Sequence, residues 1–433
     1  MNITEAINYI EATNKFGTRL GLESMKNLLN EMGNPQDKLK FVHIAGTNGK
    51  GSTSAMIANT LKTAGYNTGL FTSPFLEKFN ERIQLNNVPI DDDSLIAATS
   101  FVKEKIDILL AQGEPNPTEF ELVTAVGLQF FYQKKADIVV LEVGMGGRLD
   151  ATNIIKDPVA VAIMSISLDH TDYLGETLAE IAFEKASIIK EGTDVVVYPQ
   201  EPEALKAILD FAKTKNAPAL VVNPDDIAIK SFDGHAQILN YSGDHLDLDE
   251  FELKLLGSHQ ALNCLTALEV IALLIKKGYH ITTDQIKTAL STVTFPGRFE
   301  IFLDSPVVLI DGAHNSNGIQ AFVKNIGLYF PQKKVNLYFG MLADKDIEES
   351  LSYLVPIATT IHTLTPNSDR AMPAETMAAL IHDSYGKTVD FYDTMDEAVK
   401  SIDLAQKDDI NVFVGSLYMI GEARTLIRKN LMQ

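Results

Sequence analysis

Apolar and polar positions along the chain follow two rhythms. Near-continuous apolar runs, rich in β-branched residues, occupy Phe41 to Ala45, Thr68 to Thr72, Asp137 to Val143, Pro158 to Ile166 and Asp194 to Tyr198. Such runs predict strands buried on both faces, as in a parallel sheet covered by its crossover helices. Between them the spacing lengthens to a helical period, for example over Thr177 to Lys190. The first 40 residues also read as helical, with Ile7, Ile10, Leu28 and Leu29 among polar neighbours, and stop at the turn Gly33-Asn34-Pro35. A long helical stretch, Asn263 to Ala289, is interrupted at Gly278. After Phe295-Pro296-Gly297 the alternation restarts, with strands expected at Val307 to Ile310, Val335 to Phe339, Thr359 to Leu364 and Asn411 to Val414. The pattern predicts an α/β protein of two domains, residues 1–295 and 296–433, each of ordinary domain size or a little above it.

Composition narrows the classes. The 433 residues are 45% apolar and 22% charged, as in a water-soluble globular protein, and carry a formal charge of −20. That excess repels a phosphate backbone, so nucleic acid is not expected as a partner. It leaves room for anionic small substrates in a cleft where lysine, arginine and a bound cation reverse the local field. The one cysteine, Cys264, excludes an internal disulfide and lies in an apolar helical stretch, where packing is the expected role. The N-terminus lacks a cationic segment followed by an apolar core, and no uninterrupted apolar run approaches roughly 18 residues, so a cytoplasmic protein without a membrane span is expected. Asp91-Asp92-Asp93 reads as a solvated helix start.

The candidate chemistry begins after the first strand. Gly46-Thr47-Asn48-Gly49-Lys50-Gly51-Ser52-Thr53 joins a strand to a helix. Glycines let several N–H groups converge on phosphate oxygens, and the helix start adds partial positive charge. Lys50 is placed to neutralise the terminal phosphates, with Ser52 or Thr53 reaching phosphate or metal. The spacing departs from the usual G-x-x-x-x-G-K-[ST]: two residues separate Gly46 from Gly49, and Gly51 follows Lys50. Other strand ends carry metal candidates. Glu142 stands in an apolar run, where burial without a cation is costly, and Mg²⁺ prefers such oxygen ligands. Asp169-His170 follows a neighbouring strand, and Ser73 follows another and offers a hydroxyl. Past the domain boundary, Arg298 of Pro296-Gly297-Arg298-Phe299-Glu300 has the forked guanidinium that suits phosphate.

The phosphate loop resembles that of the folylpolyglutamate synthase family and is similar to that of the Mur ligases. Thr72-Ser73-Pro74-Phe75 and Phe79-Asn80-Glu81-Arg82-Ile83 are more specific to the folate branch. Further matching pieces are Leu141 to Arg148, Glu184 to Lys190, Gly257 to Gln260 with Asn263, Asp311-Gly312-Ala313-His314-Asn315, Phe339 to Asp346 and Val414 to Tyr418, so that the likeness runs from about Phe16 to Arg424. The resemblance implies a P-loop ATPase-like N-terminal domain and a smaller Rossmann-like C-terminal domain. It implies ATP and Mg²⁺, a carbamylated Lys185 acting as an anionic metal ligand with Ser73, Glu142 and His170, Asn263 at the adenine, Asp311 at the nucleotide, and His314 near the reacting groups. Thr18 to Gly21 is expected to help bind a pterin. The implied enzyme is a monomer that adds L-glutamate to a folate through an acyl phosphate formed from ATP, with closure about Phe295-Pro296-Gly297 shielding that intermediate from water. Four alternatives stay open: a dihydrofolate synthase acting on dihydropteroate, alone or as a second activity of the same enzyme, a Mur ligase acting on a uridine nucleotide, a P-loop nucleotide switch, and a non-catalytic nucleotide-binding protein.

Overall fold

The computed structural model describes residues 1–17 and 21–432, so the pterin contact expected at Thr18 to Gly21 falls, but for Gly21, outside the described residues. The chain forms two compact units. One comprises Met1–Ile229, Leu239–Glu252 and Ala261–Val293; the other comprises Lys230–Ile238, Leu253–Gln260 and the residues from Thr294 onward.

The first unit is built on an eight-stranded sheet. Its strands are β1 (Phe41–Ala45), β2 (Thr68–Phe71), β3 (Ile83–Leu85), β4 (Val88–Pro89), β5 (Ile138–Glu142), β6 (Ala160–Ile163), β7 (Val195–Val197) and β8 (Ala219–Val221). They lie in the order β4-β3-β2-β5-β1-β6-β7-β8. The six strands from β2 to β8 in that order are parallel, and β3 and β4 add an antiparallel border. Every residue of β1 and β5 is buried, because helices cover both faces. On one face Phe71, Val139 and Leu141 pack with Val123, Phe130 and Phe131 of the helix Glu119–Gln133. On the other, Val161, Ile163 and Val195 meet Ile181 and Ala182 of Leu178–Ala186 and Ile208 of Pro202–Thr214. Each such side chain contributes about 1.5–3 kcal/mol by leaving water. Chain order diverges at β1, with β5 on one side and β6 on the other. That places a ligand crevice at the carboxyl ends of these strands.

A further three-stranded sheet, absent from the sequence-based expectation, contains β9 (Ile227–Phe232), β10 (Gln237–Ser242) and β11 (Asp247–Leu253) in the order β11-β10-β9. The helix Ser258–Lys276 is long and apolar enough to cross a membrane by length and composition, although Asn263, Thr266 and Glu269 interrupt its apolar run. Most of it is buried within the protein, including Cys264, so it is a core helix. Asp91 caps the helix Asp92–Ala111 as expected, accepting from the Ser94 N–H at 2.8 Å.

The second unit carries β12 (Glu300–Asp304), β13 (Val307–Asp311), β14 (Lys334–Phe339), β15 (Ala358–Thr363), β16 (Asp390–Phe391) and β17 (Asp409–Val414). The order is β12-β13-β17-β14-β15-β16, parallel except for β12. Leu309, Leu337, Val412 and Val414 form its core with Ile319 and Phe322 of the helix Ser316–Tyr329 and Leu351 and Leu354 of Ile347–Ile357.

Candidate active site

The phosphate loop leaves β1 at Gly46, whose φ of 153° and contact with Met164 leave no room for a side chain. The loop is braced from behind by the segment after β6. Thr47 N–H donates to the Ser165 carbonyl at 2.7 Å, and the Thr47 hydroxyl donates to the Ser167 carbonyl at 3.1 Å. This explains why β6 ends at Ile163 rather than at Ile166: Ser165 and Ser167 bond to the loop instead of to a strand. Gly49 caps the helix Lys50–Thr63 with a left-handed φ of 84°, and the Asn263 side chain packs where its Cβ would stand. Asn263, expected at the adenine, is thus a buried neighbour of the phosphate loop.

Two lysines converge on one acceptor. Lys50 Nζ donates to the carbonyls of Gly46 at 3.0 Å and Thr47 at 3.1 Å, while Lys185 Nζ donates to the Gly46 carbonyl at 2.9 Å. Lys185 is only 4% exposed. Burial, and then the charge of Lys50, pull its pKa down to about 7, against the opposing pull of Asp169 and Asp150. It sits in the last turn of Leu178–Ala186, a helix that stops four residues earlier than the sequence period suggested, at the αR cap Ser187.

Glu142, 3% exposed at the end of β5, holds an oxygen 3.4 Å from the Ser73 N–H. These two metal candidates are therefore adjacent. His170 is the most open of the four, with its side chain 45% exposed and its backbone left-handed at φ 52°. Its neighbour Asp169 is one of the two acids whose charge reaches Lys185. Among the described residues no three His, Cys, Asp or Glu side chains cluster as a ready-made metal cage. The donor set nevertheless fits Mg²⁺, which is held by one or two carboxylates together with water and substrate phosphates.

Sequence reasoning missed Asp150. Its carboxylate is fully buried and accepts from the Met145 N–H at 2.9 Å, the Thr152 N–H at 3.0 Å and the Thr152 hydroxyl at 2.5 Å. Burial pushes its pKa up against these bonds. The signal available was its place at the close of the glycine-rich run from Gly144 to Arg148.

In the second unit the turn Gly297 to Glu300 is tied at both ends. Gly297 N–H donates to Glu300 at 2.8 Å, and Phe299 N–H donates to Asp311 at 2.8 Å. Phe299 has a left-handed φ of 44° that its packing on Phe322 and Tyr329 enforces. Arg298 lies on this turn with its guanidinium over the Phe295 ring and an N–H on the Gly297 carbonyl at 3.2 Å. Asp311 also accepts from the Ala313 N–H at 2.7 Å, so both its oxygens hold backbone. His314 Nδ1 lies 2.8 Å from the Gly312 carbonyl. A carbonyl only accepts, so Nδ1 carries the proton and Nε2 is the basic nitrogen.

With these features in place, comparison with known proteins is decisive. Residues 44–271 match the Mur ligase middle domain, and residues 297–417 match the Mur ligase glutamate ligase domain. A dihydrofolate synthase/folylpolyglutamate synthase of Bacillus subtilis is 33% identical across 98% of this chain and 99% of its own. The chain belongs to the folylpolyglutamate synthase/dihydrofolate synthase family of Mur ligases. A folylpolyglutamate synthase crystal structure from Thermotoga maritima superposes with a TM-score of 0.86 at 30% identity, covering 100% of this chain and 98% of that one. An FPGS–AMPPCP–folate complex superposes with a TM-score of 0.83 at 30% identity, covering both chains fully. Folylpolyglutamate synthase architecture thus accounts for both large sheets.

Proposed function

We propose that this protein joins L-glutamate to the γ-carboxylate of a folate at the expense of ATP. The observation that carries the reading is the convergence of Lys50 and Lys185 on the Gly46 carbonyl, behind a glycine loop that opens a helix at a sheet switch point. Family membership over the whole chain supports ligase chemistry rather than a nucleotide switch.

A carboxylate is a poor acyl donor, so ATP first converts it to an acyl phosphate and ADP is released. The glutamate amine then attacks the acyl carbon and phosphate leaves. The first step brings two anions together. Lys50 and the loop N–H groups stabilise charge on the transferred phosphoryl group, and Arg298 is the second unit's phosphate candidate. Glu142, Ser73, His170 and a carbamylated Lys185 are the residues that would hold Mg²⁺, which supplies charge neutralisation. Carbamylation needs a neutral amine, and the lowered pKa of Lys185 provides one near neutral pH. It also turns a cation crowded by Lys50 into an anion. His314, through Nε2, is the candidate to take the proton of the incoming ammonium. Asn263 and Asp311 are the remaining nucleotide contacts in this reading. A cytoplasmic monomer completes it.

A second reading, dihydrofolate synthase, draws on the Bacillus subtilis relative, whose name carries both activities. The test is ADP release from Mg-ATP and glutamate, with tetrahydrofolate or dihydropteroate added separately. Turnover with tetrahydrofolate supports the first reading, and turnover with both makes the enzyme bifunctional. Turnover with dihydropteroate alone promotes the second reading, and turnover with neither overturns both.

A further inference from the structure

The His43 side chain, in the middle of the buried strand β1, has no part in the chemistry above. Its Nε2 lies 2.9 Å from the Thr152 hydroxyl, and that hydroxyl lies 2.5 Å from Asp150. Hydrogen positions follow from what each group can do. A carboxylate held by three donors only accepts, so Thr152 gives its one proton to Asp150. The Thr152 oxygen therefore accepts from His43 Nε2–H. His43 Nδ1 is then a bare acceptor, and it is buried with no hydrogen-bond partner. An orphaned buried nitrogen is costly, because it has given up its bonds to water. Nothing in β1 requires a histidine for strand pairing, so that cost points to a purpose for the other nitrogen.

The chain of bonds continues past Asp150. Its second oxygen holds Met145 N–H and closes the Gly144–Asp150 loop on itself. That loop begins at the end of β5, two residues after Glu142. Its far side is stitched to the helix that carries Lys185. Arg148 N–H donates to the Glu184 carbonyl at 2.9 Å, and Gly147 lies against the same backbone with no room for a Cβ. Asn153 donates to the Arg148 and Ser187 carbonyls, and Lys190 donates back to Asn153 at 2.7 Å.

We infer that His43 and Thr152 are positioning residues of a buried truss, running from β1 through Asp150, that fixes where Glu142 and Lys185 stand relative to each other. The inference rests on the reading of those two residues as holders of a divalent cation. Partners behind metal ligands typically govern metal affinity by 10–100-fold. Removing the hydroxyl should therefore loosen cation binding while leaving the phosphate loop, braced separately by Ser165 and Ser167, able to bind nucleotide.

The experiment measures Mn²⁺ bound to the full chain by electron paramagnetic resonance in the presence of ADP, and ADP affinity without metal by calorimetry. Thr152→Val should weaken Mn²⁺ binding about tenfold with metal-free ADP affinity unchanged, and Thr152→Ser should restore it. His43→Leu, which leaves the Thr152–Asp150 bond in place, should show a smaller loss in the same direction and serves if Thr152→Val does not fold. Unchanged Mn²⁺ affinity in the variants, or equal losses of Mn²⁺ and metal-free ADP binding, would overturn the truss. Failure of the unaltered protein to bind Mn²⁺ with ADP would instead overturn the metal reading on which it rests.

Discussion

At the scale of single residues, the shared Gly46 carbonyl explains more than any motif. Two buried or half-buried ammonium groups at 2.9 and 3.0 Å from one oxygen repel each other, and Lys185, the more buried, yields its proton more easily. An unfolded lysine titrates near 10.5, and this one near 7. Between those values the unfolded chain binds more protons, so stability rises with pH through the window and is flat below it. Unmodified protein should therefore gain stability from pH 7 to pH 10 in urea unfolding, and Lys185→Met should flatten that slope. The same neutral amine should make activity lost in acid, CO₂-free buffer recoverable with bicarbonate, whereas Lys185→Met should stay inactive with or without it. Gly46→Ala forces a side chain into Met164 at φ 153°. It should cost about 1–3 kcal/mol and abolish ADP binding by calorimetry. Lys50 and Gly46 were legible because a glycine-rich loop carrying a lysine between a strand and a helix declares a phosphate site even with altered spacing. Lys185 came only through resemblance, because one helical lysine looks like another until its neighbours are known. Asp150 stayed hidden because an acid after glycines also reads as a turn.

Among the elements, the tied turn after residue 296 shows how a loop is made rigid. Glu300 holds the Gly297 N–H and also pairs with Arg424 at 3.0 Å, whose side chain is 9% exposed. Arg424→Ala leaves a half-buried carboxylate without this cation. It should destabilise the protein by about 2–3 kcal/mol in chemical unfolding, and Arg424→Lys should recover only part, since the fork is lost. Strand prediction succeeded where strands are buried on both faces: β1 runs from Phe41 to Ala45 as expected, and β14 and β17 lie within two residues of their predicted bounds. It failed for β10 and β11. There Gln237, Leu239 and Tyr241 are buried while the residues between them are not, and in β11 Leu248, Phe251 and Leu253 are buried among acidic residues. A search for continuous apolar runs passes over such strands. The helix Ser258–Lys276 begins ahead of the expected Asn263, and the expected break at Gly278 matches the gap before Thr283–Thr292.

For the whole molecule, two histidines set the acid limit, one in each unit. Burial pulls His43 down to about 3 and His259 to about 4, helped by the charges of Lys190 and Arg298 respectively. Both are neutral in the fold and charge more readily once unfolded. Their share of stability is complete above pH 6.5 and is lost as pH falls toward 4. Each should contribute on the order of 3 kcal/mol to the fall. Chemical unfolding at pH 7.5 and 4.5 should show a large drop, and His259→Asn should reduce it. The α/β class and the restart after residue 296 were legible because they depend on period and punctuation, which a chain carries along its length. The arrangement of side chains about Lys185 was not, since it joins residues from β1, β5 and a later helix that only the sheet order brings together.

The borders of the two large sheets have a consequence of their own. The eight-stranded sheet ends in Val88–Pro89 on one side and three residues of β8 on the other, and the six-stranded sheet ends at β16 in Asp390–Phe391. A proline lacks the N–H that a visiting backbone would need, and two residues offer too few bonds to hold it. A half-assembled copy therefore meets its neighbours with blunt rims at three of these four borders, the fourth being β12 (Glu300–Asp304). Crowding of nascent chains should lead less often to stacked, ribbon-like aggregates than the amount of buried sheet would suggest.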